Sequence, residues 1–123
     1  MTDYRLGQVE AHFAELIWDH EPLGSGDLVK LCKEQLGWQK STTYTVLKKL
    51  CDKGFFVNEG GLVRSLVPRE EVQTRESREY VAERFNGSLP AFINAFTAGR
   101  GLTREEAEGL KQMIEAYEEG EEA

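Results

Sequence analysis

Residues 37–54 read Gly37-Trp38-Gln39-Lys40-Ser41-Thr42-Thr43-Tyr44-Thr45-Val46-Leu47-Lys48-Lys49-Leu50-Cys51-Asp52-Lys53-Gly54, and the chain continues Phe55-Phe56-Val57-Asn58-Glu59-Gly60-Gly61-Leu62-Val63-Arg64-Ser65-Leu66-Val67. The first half has a helical period. At about 100° per residue Thr43, Val46, Leu47 and Leu50 share one arc, the predicted buried face, while Ser41, Thr45, Lys48 and Asp52 lie opposite and Thr42 and Lys49 flank them. Ser41 is the expected amino-terminal cap and Gly54 the stop. In the second half, Phe55–Val57 and Leu62–Val67 read as two strands around Asn58-Glu59-Gly60-Gly61, a loop that glycine makes easy.

Upstream, Leu6, Val9, Phe13, Leu16 and Ile17 recur at helical spacing until Pro22 forbids continuation, which predicts a helix over 6–19. Ser25 is expected to cap a second helix over 26–36, with Asp27 in its first turn and Leu28, Leu31, Cys32 and Leu36 on one face. A connection of only Gly37 to Lys40 then sets the second and third helices at the steep angle of a helix-turn-helix. Three helices followed by a hairpin is the order of a winged helix.

Downstream of Pro68 the period is helical again: about 69–86, 89–98, and a last helix opened by Thr103-Arg104-Glu105-Glu106, a capping-box pattern. Leu110, Met113, Ile114 and Tyr117 form an apolar stripe on that helix, and 118–123 is an expected frayed acidic tail. The predicted fold class is therefore mainly α with a small β-hairpin. A winged helix-turn-helix domain over 1–68 precedes a helical dimerisation region over 69–123. Fifty-five residues with few apolar positions do not close a core alone, so Phe85, Phe92, Ile93, Phe96, Leu110, Ile114 and Tyr117 are expected at a homodimer interface.

The polar face of the third helix carries hydroxyls and ammonium groups, the inventory used on phosphate oxygens and base edges in a major groove. Ser41, Thr42, Thr45, Lys48 and Lys49 are the candidate DNA-binding residues, with Arg64 of the hairpin as a candidate contact to the backbone or minor groove. The net charge of −7 opposes such a partner only until its distribution is read: 1–68 carries 8 basic and 9 acidic side chains, 69–123 carries 7 and 13. Within the third helix and its end, Lys40, Lys48, Lys49 and Lys53 face only Asp52 in the local sequence, a field that meets DNA even on an acidic molecule. The acidic balance also leaves a second reading, a winged-helix interaction module or an acidic antagonist of a DNA-binding partner.

Other chemistry is sparse. His12 and His20 have no zinc-ligand spacing, and Cys32 and Cys51 sit in apolar helical patterns as reduced, buried thiols, so no metal and no cofactor are expected. Trp18 and Trp38 read as packing residues. No nucleophile stands beside a base, no glycine-rich phosphate loop opens a helix, and the adjacent pairs Glu70-Glu71 and Glu105-Glu106 do not face each other, so an enzyme is not expected. The polar start MTDYRLGQVE and the lack of a long apolar run predict a cytoplasmic protein without a membrane span.

Three segments, Glu10–Trp18, Lys40–Leu50 and Lys53-Gly54-Phe55, resemble the penicillinase-repressor family, which includes the β-lactamase, methicillin-resistance and copper-transport repressors. The resemblance covers about 6–68 well and the helical tail loosely. It implies a repressor that sits as a homodimer on a palindromic operator, with the third helix in the major groove and the carboxy-terminal helices as the dimer interface. Copper-responsive members carry closely spaced carboxy-terminal cysteines, whereas no thiol follows Cys51 here, which excludes metal sensing through that motif. Antibiotic-responsive members are cut at an Asn-Phe bond; the matching place here is Ala95-Phe96, expected to be buried, with Asn94 displaced by one residue. A regulatory protease is the partner this would imply.

Overall fold

The computed structural model describes residues 5–120, and side chains through Glu118. The element order is α1 (Gln8–His20), β1 (Leu23–Gly24), α2 (Ser25–Leu36), α3 (Lys40–Asp52), β2 (Phe56–Glu59), β3 (Leu62–Ser65), α4 (Arg69–Arg84), α5 (Leu89–Thr97) and α6 (Arg104–Gly120). Among the described residues no helix is long and apolar enough to cross a membrane. The rest of the expected acidic tail, beyond Gly120, lies outside the described residues.

The chain divides into two compact units, the first ending at Glu79 and the second beginning at Tyr80. In the first, α1, α2 and α3 close over a small antiparallel sheet of order β1-β3-β2. Its core is built from the predicted periods: Phe13 and Ile17 of α1, Leu28 and Cys32 of α2, and Leu50 of α3 expose no surface, nor do Phe55 and Val63 from the hairpin. The indole of Trp18 donates to the Val67 carbonyl at 3.0 Å, and Trp38 stacks on Phe13 with ring centroids 5.5 Å apart. Both tryptophans thus pack as the sequence predicts. The opening of α4 belongs to this unit, because Val72 is buried in the same core and Arg69 bonds Glu15 at 2.8 Å and lies over the Trp18 ring.

Three local expectations are corrected. Ser25 is the first residue of α2 and not its cap; Gly24 takes the cap position, and the Ser25 hydroxyl accepts from the Tyr44 hydroxyl at 3.1 Å while its N–H bonds the Gly61 carbonyl at 2.7 Å. The serine is engaged across the fold, so it is not available to the helix end. Ser41 likewise lies inside α3, which starts at Lys40 after an extended Gln39; the connection from α2 is therefore Gly37 to Gln39. Finally, Leu23-Gly24 pairs with Val63 and Leu62 as a third strand, too short to leave a period in the sequence. The hairpin strands run Phe56–Glu59 and Leu62–Ser65 and are joined by Gly60 and Gly61, both at positive φ as a tight two-residue loop requires.

The second unit comprises the end of α4, then α5 and α6. Ser88 caps α5 by accepting from the Ala91 N–H at 3.1 Å. The capping box of α6 forms as predicted: Thr103 Oγ1 accepts from the Glu106 N–H at 3.0 Å and Glu106 accepts from the Thr103 N–H at 2.9 Å. Tyr80, Phe85, Phe92 and Phe96 form a chain of ring contacts 5.5 to 6.2 Å between centroids. None of the described residues from Tyr80 to Glu118 is fully buried.

Candidate nucleic-acid interface

Helix α3 is held to the core by Thr43, Leu47 and Leu50, with Val46 half-buried beside them. Thr43 Oγ1 donates to the Gln39 carbonyl at 3.4 Å, so even the polar member of the buried face has a partner. Fixing that face inward turns Ser41, Thr42, Thr45, Lys48 and Lys49 outward, and all five are exposed. Arg64 is exposed on β3, opposite Val57 of β2. The hairpin flanks the helix: a cleft of about 530 Å³ lined by Tyr44, Lys48 and Cys51 on one side and Val57 and Asn58 on the other separates them.

The electrostatics differ from the count made along the sequence. Lys48 pairs with Asp52 at 3.2 Å, one turn on. Lys49, however, meets Glu10 of α1 at 2.6 Å, and Lys53 lies 3.8 Å from the same carboxylate. Arg64 pairs with Glu59 across the hairpin at 3.1 Å. The local positive field is therefore weaker than Asp52 alone would leave it. Glu10 is the residue that sequence reasoning missed, because its partners lie 39 and 43 positions away and no local spacing links them. Its carboxylate is only 15% exposed and also accepts from the Gly7 N–H at 3.1 Å. The hydrogen bond from Lys49 is the main cause that lowers its pKa, opposed by partial burial.

The two thiols are free. Burial raises the pKa of both, with the Asp52 charge adding to the effect at Cys51, so neither is poised as a reactive thiolate.

The candidate dimer residues all lie in the second unit. Phe85, Phe92, Ile93 and Leu110 are half-buried, whereas Phe96, Ile114 and Tyr117 are 54%, 61% and 72% exposed. An open groove of about 380 Å³ between α5 and α6 is lined by Phe92, Ile93, Phe96, Leu102, Leu110 and Met113 among others. Ala95-Phe96 sits inside α5, where Asn94, Ala95 and Phe96 are exposed in the single chain and Phe92 and Ile93 are half-buried.

Element order and packing define the class, a chain with the winged-helix order of elements and an additional helical unit. The profile of the penicillinase repressors matches residues 6–116, so the chain belongs to the penicillinase-repressor family. It is 22% identical over 117 residues to the penicillinase repressor of Bacillus licheniformis, a match spanning 92% of this chain and 91% of that one. Membership implies a regulatory protein.

Proposed function

We propose that the chain is a sequence-specific, DNA-binding transcriptional repressor acting as a homodimer on a palindromic operator. The observation that carries this reading is the outward face of α3, where three hydroxyls and two ammonium groups stand exposed on a helix whose opposite face is locked into the core. Family membership supports it. In this reading residues 1–68 form the DNA-binding domain and 69–123 the dimerisation region. Ser41, Thr42 and Thr45 contact bases or phosphates in the major groove, Lys48 and Lys49 contact phosphates, and Arg64 lies along the backbone. Phe85, Phe92, Ile93, Phe96, Leu110, Ile114 and Tyr117 join the two copies. Release follows cleavage at Ala95-Phe96 by a regulatory protease in the cytoplasm, which reaches the bond once the interface and the helix open locally.

Selecting duplexes from a random pool and measuring their retention in a mobility shift over a salt series tests the first claim. Specific complexes whose affinity falls steeply with salt are expected. The second reading, an acidic interaction module, is favoured by the carboxylates that meet Lys48, Lys49 and Arg64. It requires that no duplex be enriched. Immunoblots during induction test release: target genes switched on while the chain stays full length would exclude cleavage.

A further inference from the structure

The cations of the proposed DNA face are each engaged by a carboxylate of the same chain, and the three carboxylates come from different elements: Glu10 of α1, Asp52 of α3 and Glu59 of β2. They are not equivalent. Lys48 and Asp52 are 76% and 68% exposed, and Arg64 and Glu59 are 47% and 65% exposed, so these pairs are screened by solvent and exchange freely. Glu10 is 15% exposed, is fixed by the Gly7 N–H and meets Lys49 at 2.6 Å, while Lys53, 3.8 Å away, donates to the Arg5 carbonyl at 3.0 Å. A carboxylate and a phosphate are alternative acceptors for the same ammonium group, so a fixed carboxylate competes with DNA wherever its lysine is used on the backbone.

We propose that Glu10 is an intramolecular phosphate competitor that holds Lys49 and thereby limits the sequence-independent part of DNA affinity. This rests on the reading of α3 as the DNA-binding helix. A backbone contact by Lys49 requires exchange of the Glu10 carboxylate for a phosphate, which leaves a half-buried charge without its hydrogen-bonded lysine. The chain thus gains less from the DNA backbone than its lysines alone would give, and the base contacts of Ser41, Thr42 and Thr45 carry a larger share of binding. Such a residue sets affinity without touching DNA.

Glu10→Gln tests this, since the amide keeps an acceptor for the Gly7 N–H and removes only the charge. The first readout needs no DNA: acylation of Lys49 by an amine-specific reagent, read by mass spectrometry against Lys30, is expected to accelerate. The second is affinity for a mixed-sequence duplex of about 30 base pairs, long enough for about three helical turns. Freeing one lysine for one phosphate is expected to steepen the salt slope by about one unit and to tighten binding about fivefold at 0.15 M salt. Lys49→Ala combined with Glu10→Gln should abolish most of that gain. Glu59→Gln, at an exposed position of the hairpin, should give a smaller change of the same sign and guards against a folding defect in the first variant. If the wild-type chain binds DNA and Glu10→Gln binds equally or more weakly with Lys49 reactivity unchanged, the proposal is overturned while the reading of α3 stands. If the wild type retains no duplex, including those selected from the pool, that reading fails and the proposal with it.

Discussion

At the scale of single residues, exposed polar groups on a fixed helix act independently, so their removal should be separable. Lys48→Ala with Lys49→Ala is expected to weaken binding to all duplexes and to lower the salt slope by about one unit, the contact of Lys48, because Glu10 withholds most of the Lys49 contact in the wild type. Thr45→Ala should instead alter base preference and leave the slope intact. A double lysine variant that is folded but binds with wild-type slope would remove α3 from the interface. A second residue-scale prediction concerns Glu106, whose pKa is lowered to about 2, first by the hydrogen bond from Arg100 and then by the Thr103 N–H. A carboxylate depressed below its ordinary 4.5 stabilises the fold fully above that value and loses the contribution as pH falls towards 2. Glu106→Gln should therefore melt below wild type at pH 7, the gap narrowing below about pH 4.5 and closing near pH 2. A gap that persists at pH 2 would assign the effect to something other than this charge.

At the scale of elements, the decisive joint is the turn between α2 and α3, because it aims the candidate DNA helix. Gly37 ends α2 in the left-handed region at φ 70°, with its N–H on the Lys33 carbonyl, and an added Cβ would meet nothing within 4 Å. Gly37→Ala therefore tests backbone strain without a steric clash. A loss of about 1 kcal/mol is expected in urea unfolding, and an unchanged midpoint would show that the turn relaxes to another conformation. What the sequence disclosed and hid follows the same division. A period of 3.6 locates α1, α2 and α3, since each buries one regular face: Phe13 and Ile17, Leu28 and Cys32, Thr43, Leu47 and Leu50; the hairpin is legible from two apolar runs around Gly60 and Gly61. The capping box at Thr103 was legible because both of its bonds span three residues. The cap at Ser25 is not legible because a hydroxyl's choice of partner is tertiary, Tyr44 reaching Ser25 from 19 residues away, whereas Ser41 misses the cap position because α3 starts at Lys40. β1 exists only through pairing with β3, and Glu10 acquires its meaning only when α1 packs beside α3, so neither has a signature in local sequence.

At the scale of the whole molecule, the second unit is left incomplete by its own chain. Seven large apolar residues stand exposed in it: Tyr80, Leu89, Phe96, Leu102, Met113, Ile114 and Tyr117. Among the described residues of the first unit, only Val9, Leu62 and Leu66 do so. The first unit buries its apolar residues internally, as a domain that folds alone must, while the second presents an apolar groove along α5 and α6 without a fully buried residue among those described. Covering that surface with a second copy removes it from water at about 25 cal/mol per Å², and a standard interface of about 800 Å² on each partner is within reach of two such helices. Ile114 is the sharpest probe, because at 61% exposure its replacement costs the single chain little and the dimer much. Ile114→Lys places a charge in the proposed interface of both copies at once. Sedimentation at micromolar concentration should then report a monomer whose far-ultraviolet circular dichroism matches wild type. Its binding to a palindromic duplex should weaken by roughly 10²–10⁴, the gain that linking two half-site contacts provides, while binding to a single half-site stays unchanged. A variant that remains dimeric would move the interface away from α6. A true monomer that holds the palindrome as tightly as wild type would show that the two half-sites are read independently, and the second unit would then serve some purpose other than pairing the recognition helices.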